Sequence, residues 1–180
     1  LTKPMKLSYF RATTDNDRNV KALWDRTNIW QGENFDCVFN KVYSAKIQGN
    51  RASFNMSSAG ISRLPFFKYT LNYEFFADGS VKTELCGDIR ENVIWLPRLG
   101  FELALPLTDG KFKYFGNGPL ESYRDMTHHG VIGVHSSDAG SEYVNYVRPQ
   151  EHGNHTDCKW LEVSDKLRFE AENKMEICVL

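Results

Sequence analysis

The sequence lacks a long apolar run, a charge bias and any recognisable cysteine pattern. No stretch approaches the roughly 20 apolar residues that carry a helix across a bilayer, so no membrane partner is expected. Lys plus Arg number 22 against 23 Asp plus Glu, a formal net charge of -1. Nucleic-acid binders carry a basic excess or a basic face, and no run here resembles one, so no nucleic-acid partner is expected. The four cysteines, Cys37, Cys86, Cys158 and Cys178, form no CxxC pair, which argues against a zinc or thioredoxin-like site. They read as free and mostly buried thiols of a reducing compartment, which points to the cytoplasm, with the periplasm as the alternative.

Several chemical signatures are incomplete. Asp15-Asn16-Asp17 begins like a calcium loop, but Val20 and Arg26 stand where Gly and Glu are needed. Gly116-Asn117-Gly118-Pro119 lacks both the Lys-Ser/Thr of a phosphate loop and the third glycine of a dinucleotide fingerprint. No GxSxG supports a serine hydrolase. His128-His129 and His152-Gly153-Asn154-His155 have no second pair at zinc spacing, so they read as solvated loops and no metal ligand is assigned.

What is present is an aromatic, ordinarily apolar chain: 180 residues, 13% aromatic and 41% hydrophobic, too rich for a disordered segment. There is no linker, repeat or composition shift, so residues 1–180 read as a single domain. The chain opens at Leu1 and stops at Val179-Leu180 inside an apparent strand, and is expected to be a segment of a longer protein. Asp15 to Trp30 reads as one short N-terminal helix, capped by Asp15 or Asp17 and stopped near Gly32. From Val38 onward the period is two. Val38–Ala45 and Ala52–Ser57 flank a Gln48-Gly49-Asn50 turn, and Tyr69–Phe76 and Val81–Leu85 flank Asp78-Gly79. Further strands are expected at Leu99–Leu105, Lys111–Phe115, Tyr143–Arg148, Lys159–Val163 and Leu167–Ala171. Short strands separated by turn signals, without βα alternation, predict an all-β antiparallel sandwich or barrel.

Carboxylates crowd the second half: Glu121, Asp125, Glu142, Glu151, Asp157 and Glu162. A glycosidase dyad needs two carboxyl groups about 5–5.5 Å apart for retention or about 6.5–9.5 Å for inversion. Sequence places no pair at that spacing, and no catalytic residue is assigned. The densest polar constellation runs from Tyr146 to Asn154 through Arg148, Gln150 and Glu151. Its planar donors and acceptors suit either sugar hydroxyls or a buried network that pins a loop or interface.

That stretch also carries a resemblance. YVRPQEHGNHTDCKWLEV, residues 146–163, resembles the YVRPQENGNRTDVRWL segment of the beta-galactosidase small chain, the C-terminal domain of bacterial beta-galactosidases of glycoside hydrolase family 2. YFRATTDNDR at 9–18 is similar to the family's FWRAPTDND. LPRLGFEL at 96–103 resembles its LPRxG segment, and FGNGPLESYRD at 115–125 its GxGPxENYxD segment. The chain departs from the pattern at Ser122, His152 and His155, where Asn, Asn and Arg or Lys are usual.

The resemblance implies a galactose mutarotase-like antiparallel supersandwich, cut short at its C-terminal end and belonging to a multidomain glycosidase. It places the acid and the nucleophile on an upstream TIM barrel, as another domain or a large subunit. The expected role is accessory: to support the barrel and shape the mouth of a site that hydrolyses terminal β-galactosides with retention. The isolated segment is expected to be inactive. The candidate loop-organising, sugar or interface contacts are Arg98, Glu121, Tyr123, Asp125, Arg148, Gln150, Glu151 and Trp160. No cofactor is expected in this segment, Mg or Na being left to the parent enzyme, and a homo-oligomer is open. The alternatives are a stand-alone carbohydrate-binding module and, less favoured, a mutarotase-like sugar epimerase.

Overall fold

The computed structural model describes residues 1–106 and 109–180. It is 48% strand and 6% helical, with antiparallel pairing throughout, as an all-β sandwich class requires. Among the described residues no helix is long and apolar enough to cross a membrane. The chain divides into two compact units, Lys6–Glu102 and Leu1–Met5 with Leu103–Leu180.

In the first unit, β1 (Lys6–Ser8) is followed by the short helix α1 (Lys21–Trp24). Then come β2 (Val38–Gln48), β3 (Arg51–Gly60), β4 (Phe67–Phe75), β5 (Val81–Ile89) and β6 (Gly100–Glu102). Strands β2 to β5 form a four-stranded meander, and β1 pairs with β6. Gly49 and Gly79 make the tight turns with φ of +58° and +87°, a region glycine enters without steric cost. Register sorts the meander's side chains. Met56 faces Tyr69, Phe54 faces Leu71, and Leu71 faces Leu85, while Asn55, Thr70 and Cys86 align on the opposite surface.

Tyr9, Trp24, Phe35 and Phe66 form one buried cluster with Phe67 and Tyr69 of β4 at one end of the apolar face. At its other end Ile47 is 77% exposed, and Phe75 and Val81 are about half exposed.

The expected helix over residues 15–30 is broken into three pieces: α1 and two single turns at Asp15–Asp17 and Arg26–Asn28. Asp25 stops α1 by turning extended, and its carboxylate then accepts from the Thr27 amide at 2.9 Å to start the next turn. A local side-chain hydrogen bond here outcompetes helix continuation. The FRATTDNDR motif has a structural use. Asp17 is buried, receives both terminal nitrogens of Arg11 (2.8 and 3.2 Å) and accepts from the Thr14 amide at 2.7 Å.

The second unit holds β7 (Lys111–Gly118), β8 (Val131–Asp138), β9 (Asn154–Val163) and β10 (Leu167–Cys178) in the order β10-β9-β7-β8. Its core is Phe112, Tyr114, Cys158, Val163 and Ile177. Ser164 and Asp165, both at positive φ, turn β9 into β10.

Three sequence expectations need correction. Tyr143–Arg148 forms no strand; it lies in the 139–153 connection between β8 and β9. The expected Leu99–Leu105 strand shortens to β6. The sequence does not mark β1 or β8: β1 is defined by its distant partner β6, and β8 pairs with the preceding strand β7 across the 119–130 connection rather than through a tight turn.

Candidate functional site

The polar constellation of the second unit is built on β7, β9 and the two connections that flank β8. His155 enters β9 fully buried, which corrects its reading as part of a solvated loop. Its Nε2 donates to Glu142 Oε2 at 2.9 Å, and its Nδ1 is hydrogen-bonded to the Tyr114 hydroxyl at 2.8 Å. The assignment of the Nε2 proton follows from the carboxylate, which only accepts when ionised. Burial pushes the Glu142 carboxyl up, but hydrogen bonds from His155 and Ser137 outweigh it and hold the group below its ordinary value. Burial, reinforced by the Glu142 charge, pushes the Tyr114 phenol well up.

Glu121 forms the second half of the arrangement. Its Oε2 accepts from the Gly153 amide at 2.8 Å, its Oε1 accepts from the Tyr146 hydroxyl, and its backbone carbonyl accepts from His129 Nε2 at 2.8 Å. The bond to Glu121, with burial behind it, pushes the Tyr146 phenol up to about 12. Between the two carboxylates lies a closed set around Ser122, which is fully buried. Ser122 Oγ accepts from the Thr156 amide at 2.9 Å and meets Thr156 Oγ1 at 3.0 Å. Asn154 Nδ2 donates to the Ser122 carbonyl at 2.9 Å. Two of the departures from the family pattern, Ser122 and His155, thus sit in the middle of this network. Ordering a backbone costs roughly 1–2 kcal/mol per residue, and these bonds offset part of that cost for the long connection 139–153.

The candidate residues are partly gathered here. Glu121 is central. Tyr123 follows it, half-buried, with its amide on the Met126 carbonyl at 3.1 Å and its phenol pushed up by burial. Gln150 hydrogen-bonds Tyr146, and Glu151 is buried beside the Gly153 turn. Asp125 and Arg148 lie on the surface. Trp160 is on β9, its ring under the Arg168 guanidinium at 4.5 Å. Arg98 belongs to the first unit. Nothing in the sequence marks Tyr114, Ser122, Glu142, Tyr146, Gly153 and His155 as one set. The available signal was the alternation of Phe112 and Tyr114, which turns the tyrosine inward, and the departures from the family pattern at Ser122 and His155.

Chemically the arrangement is closed. Both ring nitrogens of His155 and both oxygens of Glu121 are committed to protein partners. Among the described residues no group of three or more His, Cys, Asp or Glu is placed to hold a metal ion. These bonds tie the two connections that flank β8 to β9.

Comparison with known proteins gives a consistent assignment. A family model described as beta galactosidase small chain matches residues 1–177. A beta-galactosidase of Actinobacillus pleuropneumoniae is 30% identical over 165 residues, covering 89% of this chain and 16% of that protein. Beta-galactosidase BgaC of Bifidobacterium adolescentis is 31% identical, covering 88% and 15%. A beta-galactosidase of Arthrobacter sp. is 41% identical, covering 93% and 18%. The chain therefore spans less than a fifth of the length of these relatives. With the family pattern running across nearly all of an antiparallel all-β chain, this protein belongs to the beta-galactosidase small-chain family.

Proposed function

We propose that the chain is the accessory β-sandwich part of a beta-galactosidase. The observation that carries this reading is the match over residues 1–177 to the small-chain family, together with relatives in which the matched part is only 15–18% of the protein. The closed network of Glu121, Glu142 and His155 supports it, since these groups are spent on holding loops. In this reading the parent enzyme cleaves terminal β-galactosides with retention, through a covalent glycosyl-enzyme intermediate on a pair of carboxylates. Both carboxylates lie on a TIM-barrel domain or large subunit outside this chain. The chain's own work is mechanical: it supports the barrel and shapes the mouth of its site.

The test compares the natural gene product with purified 1–180 on a chromogenic β-galactoside. Hydrolysis by the former and none by the latter is the expected result. Hydrolysis by 1–180 that is abolished in Glu121→Gln or Glu151→Gln would place a catalytic dyad in the chain and sink the accessory reading.

A further inference from the structure

Buried polar atoms almost always find a partner, and one that does not calls for an explanation. Among the described residues four buried side-chain atoms have none: Glu33 Oε2, Asn34 Oδ1, Arg63 Nε and the Tyr123 hydroxyl. Three of the four belong to one junction of the first unit, where the 29–34 segment meets the turn that follows β3. Asn34 is fully buried, and both hydrogens of its amide are spent, on the Ile29 carbonyl at 3.2 Å and the Ile61 carbonyl at 2.8 Å. That fixes which way the amide points, because its oxygen in the same place would face two acceptors. Arg63 donates from a terminal nitrogen to the same Ile29 carbonyl. Glu33 accepts from Arg90 on its other oxygen at 2.6 Å, and Arg90 also reaches the carbonyl of Leu64, the residue after Arg63, at 3.2 Å.

The open atoms are two acceptors and one donor. A bare cation is opposed by two guanidinium groups, and an anion by the Glu33 carboxylate and the Asn34 amide oxygen. A hydroxyl both donates and accepts. Two neighbouring hydroxyls match the set: each donates to one oxygen, and one of them accepts from Arg63. The same junction carries an aromatic surface. Trp30 directly follows the shared Ile29 carbonyl and is 79% exposed. Its turn is held, because the Gln31 and Gly32 amides both donate to the Asn28 carbonyl, at 3.0 and 2.9 Å. Little order therefore remains to be imposed on binding. An indole offers a large apolar face, against which the C–H face of a pyranose ring can lie.

We propose that the junction of Glu33, Asn34 and Arg63 beside Trp30 is a binding site for a neutral saccharide. A vicinal diol meets the three open atoms, and the sugar ring lies against the indole. Arg63, long and partly exposed, is the group that turns aside to admit the diol. The site gives this chain a ligand of its own and stands independently of the accessory reading above.

The experiment titrates the 180-residue chain with D-galactose and with lactose. Heteronuclear NMR follows the indole N–H of Trp30 and the Nε–H of Arg63. The expected result is a saturable shift of both signals with one shared midpoint. In Trp30→Ala, read at Arg63, and in Glu33→Gln the midpoint is expected to rise at least about fivefold. Trp30→Ala should keep the wild-type melting temperature, since the side chain stands in solvent. Should Glu33→Gln melt early, the wild-type Arg63 signal decides: movement in step with Trp30 supports the inference, and a fixed Arg63 signal overturns it. An unchanged midpoint in Trp30→Ala also overturns it. No saturable shift with either sugar means that an internal water alone meets these atoms, and the inference falls.

Discussion

Glu142 keeps its charge inside the protein because His155 and Ser137 donate to it, and this ties stability to pH. Its folded pKa lies below the unfolded value. The stabilisation is therefore complete above the ordinary carboxyl pKa of 4.5 and is lost as pH falls through the folded value. Asp17, held down by Arg11 and Thr14 against the upward push of burial, works in the same direction. Replacing Glu142 by Gln is expected to cost about 1–3 kcal/mol at pH 7, because buried His155 loses its ionised partner, and to flatten the acid limb. Urea melts of both proteins at pH 7, 5, 4 and 3 check this; equal loss of stability between pH 5 and 3 would exclude Glu142 as a source.

The thiols offer a second residue-level test. Burial pushes Cys158 up to about 12, whereas Cys86 is exposed on β5. The thiolate is the reactive form, so a disulfide reagent is expected to label Cys86 within the mixing phase and Cys158 only on unfolding, followed by peptide mass mapping. Labelling of Cys158 in the native protein at the same rate would mean that the second core opens.

At the scale of elements, backbones that touch set the tolerance. A Cβ at Gly60, the last residue of β3, would lie 1.9 Å from the Glu33 carbonyl oxygen, and backbone cannot rotate aside as a side chain can. Gly60→Ala is expected to destabilise by at least about 1–3 kcal/mol, read as a fall in the denaturation midpoint. A midpoint unchanged from wild type would mean that the 33–34 segment shifts freely.

The same scale explains what the sequence made legible. The hairpins β2–β3 and β4–β5 announce themselves through Gln48-Gly49-Asn50 and Asp78-Gly79, where turn chemistry and period two agree over adjacent residues. Strand β8 was missed because its pairing with β7 is set by Phe115 meeting Val134 and Gly116 meeting Gly133, contacts that no local pattern encodes. Tyr143–Arg148 alternates like a strand yet finds no partner strand. The candidate site was legible as a family pattern around Arg148 and Glu151. Its physical centre at His155 was not, because the burial of a histidine depends on Tyr114 and Glu142 arriving from other parts of the chain.

For the molecule as a whole, the uncovered end of the β2–β5 apolar face decides behaviour in solution. Phe75 and Val81 pair there across β4 and β5, and Ile47 stands exposed on β2 in the row of Ala52 and Tyr73. Exposed patches of this kind drive association. Concentration-dependent self-association is expected above micromolar levels, and Ile47→Lys should reduce it without lowering the melting temperature, since the residue contributes little to the core. Sedimentation velocity over a concentration series reads the difference; identical profiles for both proteins would clear this face.

Strand order carries a consequence in time as well as in space. The β2–β5 meander joins neighbours in sequence throughout, so each pairing closes a short loop. The other sheet must seat β7 beside β9, with Phe112 finding Val163 about fifty residues away before its core can close. Amides of β2–β5 are thus expected to gain protection first in pulse-labelled refolding, leaving residues 103–180 as the slow step and the interval in which a newly made chain is most open to proteolysis.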